Sequence, residues 1–95
     1  MSYAKKVDDN QARIVQALRD AGASILHLHV IGKGCPDILA GFRGINVLIE
    51  IKDGRKPPSA RRLTNDEHDW QIQWRGQVVT VVSVDEALRA IGALQ

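Results

Sequence analysis

The chain has 95 residues, enough for one domain with a buried core and too few for two, so we expect a single domain over residues 1–95. Hydrophobic residues make up 44% of it and charged residues 25%, a globular balance that excludes disordered and low-complexity classes. The formal net charge of +2 is too small to indicate a nucleic-acid partner by itself. The single cysteine, Cys35, cannot form an internal disulfide, and there is no long apolar run, so we expect a cytoplasmic protein without a membrane span.

The first half of the chain predicts one helix followed by three strands. Asp8 is a capping residue, and apolar residues follow it at helical spacing. Apolar residues then alternate with His27 and His29, as in a half-buried strand. The next two apolar runs are separated only by Arg43 and Gly44, which is typical of an antiparallel hairpin. The predicted elements are a helix near 9–21 and strands at 24–30, 37–42 and 45–52.

The second half predicts a charged loop and then helix, strand and helix. Residues 53–62, here called the basic segment, hold two prolines, a glycine and four basic residues against one acid, which predicts an exposed loop without regular structure. Capping boxes at Thr64 and Ser83 each begin a helix. We expect Trp70 and Trp74 of the first of these helices to lie in the core, with stacking on nucleic-acid bases as the alternative. The predicted elements are a helix near 64–75, a strand at 78–82 and a final helix. The order α-β-β-β-α-β-α predicts a mixed sheet with helices on its faces.

Strand three carries an acid and a base on one side. Glu50 and Lys52 alternate with Ile49 and Ile51, so both charged side chains share one face of what is otherwise an apolar strand. Burying even one unpaired charge is costly, which favours a functional reason for the pair. An ion pair at the frayed end of an edge strand is the alternative, and it is the commoner case for such a triplet alone.

Asp37 adds a second carboxylate to this region. The tight Arg43-Gly44 turn pairs residues that are equidistant from it, so Asp37 of strand two should face Glu50 of strand three. Adjacent carboxylates repel each other unless a cation lies between them or one is protonated, and hard oxygen ligands suit Mg²⁺ or Mn²⁺. The sequence therefore predicts a metal site.

The spacing of these acids, with Pro36-Asp37 followed after twelve residues by Glu50-Ile51-Lys52, resembles the PD-(D/E)XK nuclease superfamily. Within that superfamily the chain is similar to the small stand-alone VRR-NUC nucleases of phages and bacteria. The resemblance covers nearly the whole chain and implies a restriction-endonuclease-like fold. The segments that carry it are residues 34–38, 47–52, Leu63-Thr64, Trp70 and Gly76-Gln77-Val78.

The resemblance implies a metal-dependent DNA endonuclease. Asp37 and Glu50 would bind Mg²⁺ or Mn²⁺ together with the main-chain carbonyl of Ile51, and Lys52 would orient or activate the attacking water. The small relatives are dimers that cleave branched DNA, so the resemblance also implies a homodimer acting on substrates such as four-way junctions. The final helix offers an apolar face for that contact, with the alternative that the face belongs to the core. The residues of this face are Leu88, Ile91 and Leu94.

Two positions depart from the pattern of these relatives. Many of them place a glutamate in the first helix, where this chain has Gln11, a weaker metal ligand that would also serve as a helix cap. Relatives often have a glutamine early in helix two, where this chain has Glu67 or His68. Glu67 fits a capping box, and His68 would contact the scissile phosphate or face solvent.

The basic residues of the loops near Asp37 and Lys52 are candidates for contacts with DNA phosphates, against the alternative of a solvated surface. They are Lys33, Arg55, Lys56, Arg61 and Arg62. Two other function classes remain open. One is a nucleic-acid-binding or assembly module that keeps the fold without cleaving, and the other is an α/β interaction domain whose charged strand end has no function.

Overall fold

The protein folds into a four-stranded mixed sheet with three helices. The structure is a computed structural model that describes residues 9–95. The predicted α/β class and the predicted order of elements are confirmed. The predicted cap, Asp8, lies outside the described residues. The elements are α1 (Asp9–Asp20), β1 (Ser24–His27), β2 (Ile38–Phe42), β3 (Ile45–Ile51), α2 (Asn65–Gln73), β4 (Val78–Val81) and α3 (Val84–Ala90).

The strands lie in the order β1-β2-β3-β4. The first three pair antiparallel, and β4 pairs parallel to β3 because α2 forms the crossover between them. β3 is therefore an internal strand, and the last five of its seven residues are buried. This position rules out the edge-strand interpretation of Glu50 and Lys52.

One face of the sheet packs against α1 and α3 and forms the core. Since side chains alternate along a strand, Ile49 and Ile51 point into this core whereas Leu48 and Glu50 point to the opposite face. The main helical contributors to the core are Ile14, Val15, Leu18, Ala87 and Ile91. The acid-bearing face is thereby directed toward α2, whose Gln71 side chain donates a hydrogen bond to Thr80 of β4.

β1 is shorter than the predicted strand over 24–30. It ends at His27, and a short 3₁₀ turn follows over His29–Ile31. The last main-chain hydrogen bond between the β1 and β2 segments runs from the N–H of Leu28 to the carbonyl of Asp37. Pro36, the residue before Asp37, has no N–H to donate, so the pairing stops there. The alternation of histidines with apolar residues continues past this point, but the strand does not.

The second half also differs from the sequence predictions in detail. The basic segment contains one 3₁₀ turn, Pro58–Ala60, where no regular element was expected. The two tryptophans are not core residues: their rings stack with centroids 4.8 Å apart, and Trp74 is 46% exposed. Trp74 keeps a helical φ of −75° and donates its N–H to the carbonyl of Trp70, so both rings lie on the same side of α2, and neither belongs to the core cluster.

The apolar face assigned to helix three is largely internal. Ile91 is buried in the core and Leu88 packs against it, which leaves only Leu94 exposed among the three proposed contact residues. This face is therefore not available as a dimer contact. Among residues 9–95 no helix is both long and apolar enough to cross a membrane.

Candidate active site

Asp37 and Glu50 lie next to each other across β2 and β3, as predicted. Asp37 stands directly before β2, and the observed register pairs Ile38 with Ile49, which places Asp37 opposite Glu50. Both are buried, with exposed fractions of 2% and 0%. Asp37 is fixed against β3 because its Oδ2 accepts a hydrogen bond of 2.7 Å from the N–H of Ile51.

Lys52 is held from both its main chain and its side chain. Its N–H donates to the carbonyl of Val81 at 2.9 Å, and its carbonyl accepts from the Asn10 side chain at 2.7 Å. Its ammonium Nζ lies 2.7 Å from Oε1 of Glu67 and 3.9 Å from Oε1 of Glu50. The charged end of Lys52 is thus located between two carboxylates at the carboxyl end of β3.

Glu67 has two roles in the structure. It completes the predicted capping box of α2, because Oε1 accepts from the N–H of Thr64 at 2.8 Å while the Thr64 hydroxyl accepts from the N–H of Glu67. The same oxygen accepts from Lys52. Burial opposes ionisation of Glu67, but the hydrogen bonds with Lys52, Glu50 and Thr64 outweigh it and lower its pKa to about 2. Glu67 is therefore a carboxylate at neutral pH.

Sequence reasoning identified Glu67 as a cap and did not identify its contact with Lys52. The only available signal was its position where relatives often have glutamine, which left Glu67 and His68 as alternatives. The structure distinguishes them. Glu67 faces the acids, whereas the side chain of His68 is 62% exposed and lies near Asp69.

A cavity of about 220 Å³ opens beside the acids. One wall is the loop between β1 and β2, and the other is the start of α2. Its lining residues are His29, Gly32, Lys33, Gly34, Cys35, Asp37, Thr64, Asp66 and Glu67. We call it the acid cavity. Burial, followed by the charges of Glu50 and Asp37, raises the pKa of the Cys35 thiol, which disfavours a thiolate nucleophile there.

Gly34 brings the two walls of the acid cavity together. Its φ of +84° lies in the left-handed region, and a Cβ at this position would overlap the main-chain carbonyl of Asp66. Lys33, just before it, is a non-glycine residue with φ of +56°, a conformation that costs roughly 1 kcal/mol. Close packing of this loop on α2 sets the position of Glu67 relative to Lys52.

The other predicted site residues are spread over two regions. Lys33 lines the acid cavity, and Arg61 and Arg62 are separated from α2 by Leu63 and the N-cap Thr64. Arg55 lies at a different cavity of about 470 Å³ near the starts of α1 and α3. Its guanidinium makes two contacts of 3.0 Å with Asp53.

These contacts reduce the charge that Arg55 offers to a ligand. The hydrogen bonds from Arg55 lower the pKa of Asp53 to about 2, so the pair stays ionised and mutually neutralised. Lys56 is exposed in the same segment. Gln11 is buried in the first turn of α1, with 6% of its surface exposed.

The residues present suit a divalent cation of the magnesium type. Asp37 and Glu50 supply buried carboxylate oxygens, and the main chain of Ile51 lies between Glu50 and Lys52 with its carbonyl as a third oxygen. Within residues 9–95, no group of three or more His, Cys, Asp or Glu side chains is arranged to hold a metal ion. A metal bound by Asp37 and Glu50 would therefore depend on the carbonyl and on water, which Mg²⁺ commonly retains.

Comparison with known proteins finds no match for this chain among family models, curated protein sequences or solved structures. The resemblance to the PD-(D/E)XK nucleases therefore depends on the motif residues of the chain itself. Any functional conclusion is therefore argued from the geometry of these residues and not from a relative.

Proposed function

We propose that this protein is a Mg²⁺- or Mn²⁺-dependent DNA endonuclease that hydrolyses phosphodiester bonds. The observation that carries the proposal is the placement of Asp37 and Glu50 as buried neighbours, with the Lys52 ammonium 3.9 Å from Glu50. Buried acids are costly unless they are paired or bind a cation. A domain that served only as a scaffold would be more stable with apolar residues at these positions.

The chemistry needs a nucleophilic water held in line with the scissile bond and positive charge near the phosphoryl oxygens. Asp37 and Glu50 would hold the divalent ion, which when bound lowers the pKa of a water and acts as a Lewis acid. Lys52 donates hydrogen bonds to the water or to a phosphoryl oxygen and adds positive charge there. Glu67 keeps the Lys52 ammonium in place through their 2.7 Å contact.

The proposal includes the partners that the resemblance implies. Phosphates would contact Lys33, which lines the acid cavity, together with Arg61 and Arg62, which shortly precede Thr64 of that lining in the chain, while Arg55 contributes less because of Asp53. A homodimer that acts on branched DNA, such as four-way junctions, in the cytoplasm of a bacterial or phage-infected cell belongs to the same proposal. Neither the dimer nor the branched substrate follows from the geometry of the described residues.

A cleavage assay tests the proposal. Purified protein is incubated with a labelled four-way junction, a linear duplex and a single strand, each with Mg²⁺, Mn²⁺ or a chelator. We expect cleavage only with metal, its loss in Asp37→Asn, and its loss in Lys52→Met. The matched control is Asp69→Asn, which replaces an exposed carboxylate on α2 and should cleave like the wild type.

The outcomes separate the function classes. Binding to DNA without cleavage under any metal would refute the nuclease and favour the non-catalytic nucleic-acid-binding module. Full turnover by rigorously repurified Asp37→Asn would refute the assignment of the site. Absence of both binding and cleavage would favour an interaction domain.

A further inference from the structure

An apolar turn stands at the rim of the acid cavity. Val30 and Ile31, which we call the apolar tip, are 79% and 60% exposed, and Val30 is the most exposed large hydrophobic residue in the described part of the chain. Single exposed aliphatic residues are common on protein surfaces. Two adjacent ones at the edge of a polar cavity are less readily explained, because the same turn would be more soluble with polar residues.

The apolar tip is fixed relative to the acids. His29 and Gly32, the residues on either side of it, both line the acid cavity. The N–H of Ile31 donates to the carbonyl of Leu28 at 2.9 Å, and the N–H of Leu28 donates to the carbonyl of Asp37 at 2.8 Å. The tip is therefore tied by two hydrogen bonds to the main chain of a proposed metal ligand.

Its chemistry is complementary to a nucleotide. Lys33 follows the tip by two residues and lines the acid cavity, so an apolar surface and a positive charge lie side by side. A nucleotide joins an apolar base face to an anionic phosphate in the same way. Aliphatic side chains cannot hydrogen-bond a base edge, so a contact of this kind is made with the face of a base and requires the base to be unstacked.

We propose that the apolar tip packs against the face of an unstacked nucleobase adjacent to the phosphate bound at the acid cavity. This inference rests on the proposed function and adds to it a base contact, made by residues outside the metal-binding set. The contact does not depend on which of the bases is present. It favours DNA with an unpaired or extrahelical base over a continuous duplex, because a stacked base does not expose its face.

The test compares Val30→Ser/Ile31→Ser with the control Ile45→Ser, which replaces a 55% exposed aliphatic residue at the start of β3. The probes are a duplex with one extrahelical 2-aminopurine and the same duplex fully paired, both with Ca²⁺. We expect the wild type and the control to change the 2-aminopurine fluorescence on binding. The double variant should lose that change and bind the extrahelical probe about tenfold more weakly, with affinity for the paired duplex altered less than about twofold.

Failure of the inference differs from failure of the proposed function. If the wild type binds neither DNA, the proposed function is refuted and the inference with it. If the wild type binds DNA and the double variant shows an unchanged preference for the extrahelical probe, the base contact alone is refuted. A change in the sedimentation mass of the free protein in the double variant, without a change in DNA preference, would show that the tip contacts protein instead.

Discussion

Replacement of Glu67 by alanine is expected to destabilise the fold strongly, although the residue lies on the surface helix α2. The variant removes the 2.7 Å contact with the Lys52 ammonium and the 2.8 Å contact with the N–H of Thr64. Lys52 then keeps only Glu50, at 3.9 Å, while its side chain remains 15% exposed. A partly buried ammonium is thus left without its nearest counter-charge.

The size of the effect follows from the pKa of Glu67, which is lowered from 4.5 to about 2 in the folded protein. A difference of this size corresponds to at most about 3 kcal/mol of stabilisation at neutral pH, because solvent screens part of the interaction at this partly buried site. Breaking a fully buried ion pair by removal of one partner costs about 3 to 5 kcal/mol, and no more than the lower end applies here because the pair is only partly buried and Lys52 retains Glu50. We therefore expect at most about 3 kcal/mol for Glu67→Ala. Glu67→Gln should cost about half of that, since the amide oxygen still accepts both hydrogen bonds.

Thermal unfolding at pH 7, with a chelator present, measures the difference in stability between the wild type and Glu67→Ala. For a domain of this size, the loss predicted for Glu67→Ala lowers Tm by up to about 15 °C. Asp69→Asn, whose side chain is 69% exposed two residues further along α2, is the matched control and should unfold like the wild type. A Glu67→Ala variant as stable as Asp69→Asn would refute the conclusion that this ion pair stabilises the site.

Three further predictions concern acid, packing and charge. Because the folded-state pKa of Glu67 lies below its unfolded value, its stabilisation is present above pH 4.5 and is lost as the pH falls toward 2; Glu67→Gln should flatten urea-unfolding stability over that window relative to the wild type. Gly34→Ala should lower Tm more than Gly44→Ala, since both have a positive φ but only Gly34 is packed against the Asp66 carbonyl; equal shifts would contradict this. Neutralising Lys56, Arg61 and Arg62 together should lower the slope of the logarithm of the DNA-binding constant against the logarithm of salt concentration by about 2 to 3. An unchanged slope would show that these side chains form only a solvated surface.

The order of elements and the acid pair were predictable because their signals are local. Apolar periodicity and the Thr64 capping box depend on nearby residues only. The pairing of Asp37 with Glu50 followed from a two-residue turn, which leaves the hairpin a single register. Long-range contacts of this kind can be inferred when turn length fixes them.

The contact between Glu67 and Lys52 could not be inferred in this way. It depends on where α2 lies against β3, which is set by the packing of Gly34 on the carbonyl of Asp66 and not by any spacing along the chain. The exposure of the tryptophans likewise depends on how α2 lies on the sheet, because Trp70 and Trp74 share one side of the helix and that side is not part of the core.

A divalent-metal centre at Asp37 and Glu50 is tested most directly by counting bound Mn²⁺ with electron paramagnetic resonance. The wild type and Lys52→Met should bind Mn²⁺ with similar affinity, because Lys52 is not a ligand. Asp37→Asn and Glu50→Gln should each lose this binding, because each removes a carboxylate from a site with few other donors. Unchanged Mn²⁺ binding by both carboxylate variants would contradict the metal centre and the nuclease mechanism that depends on it.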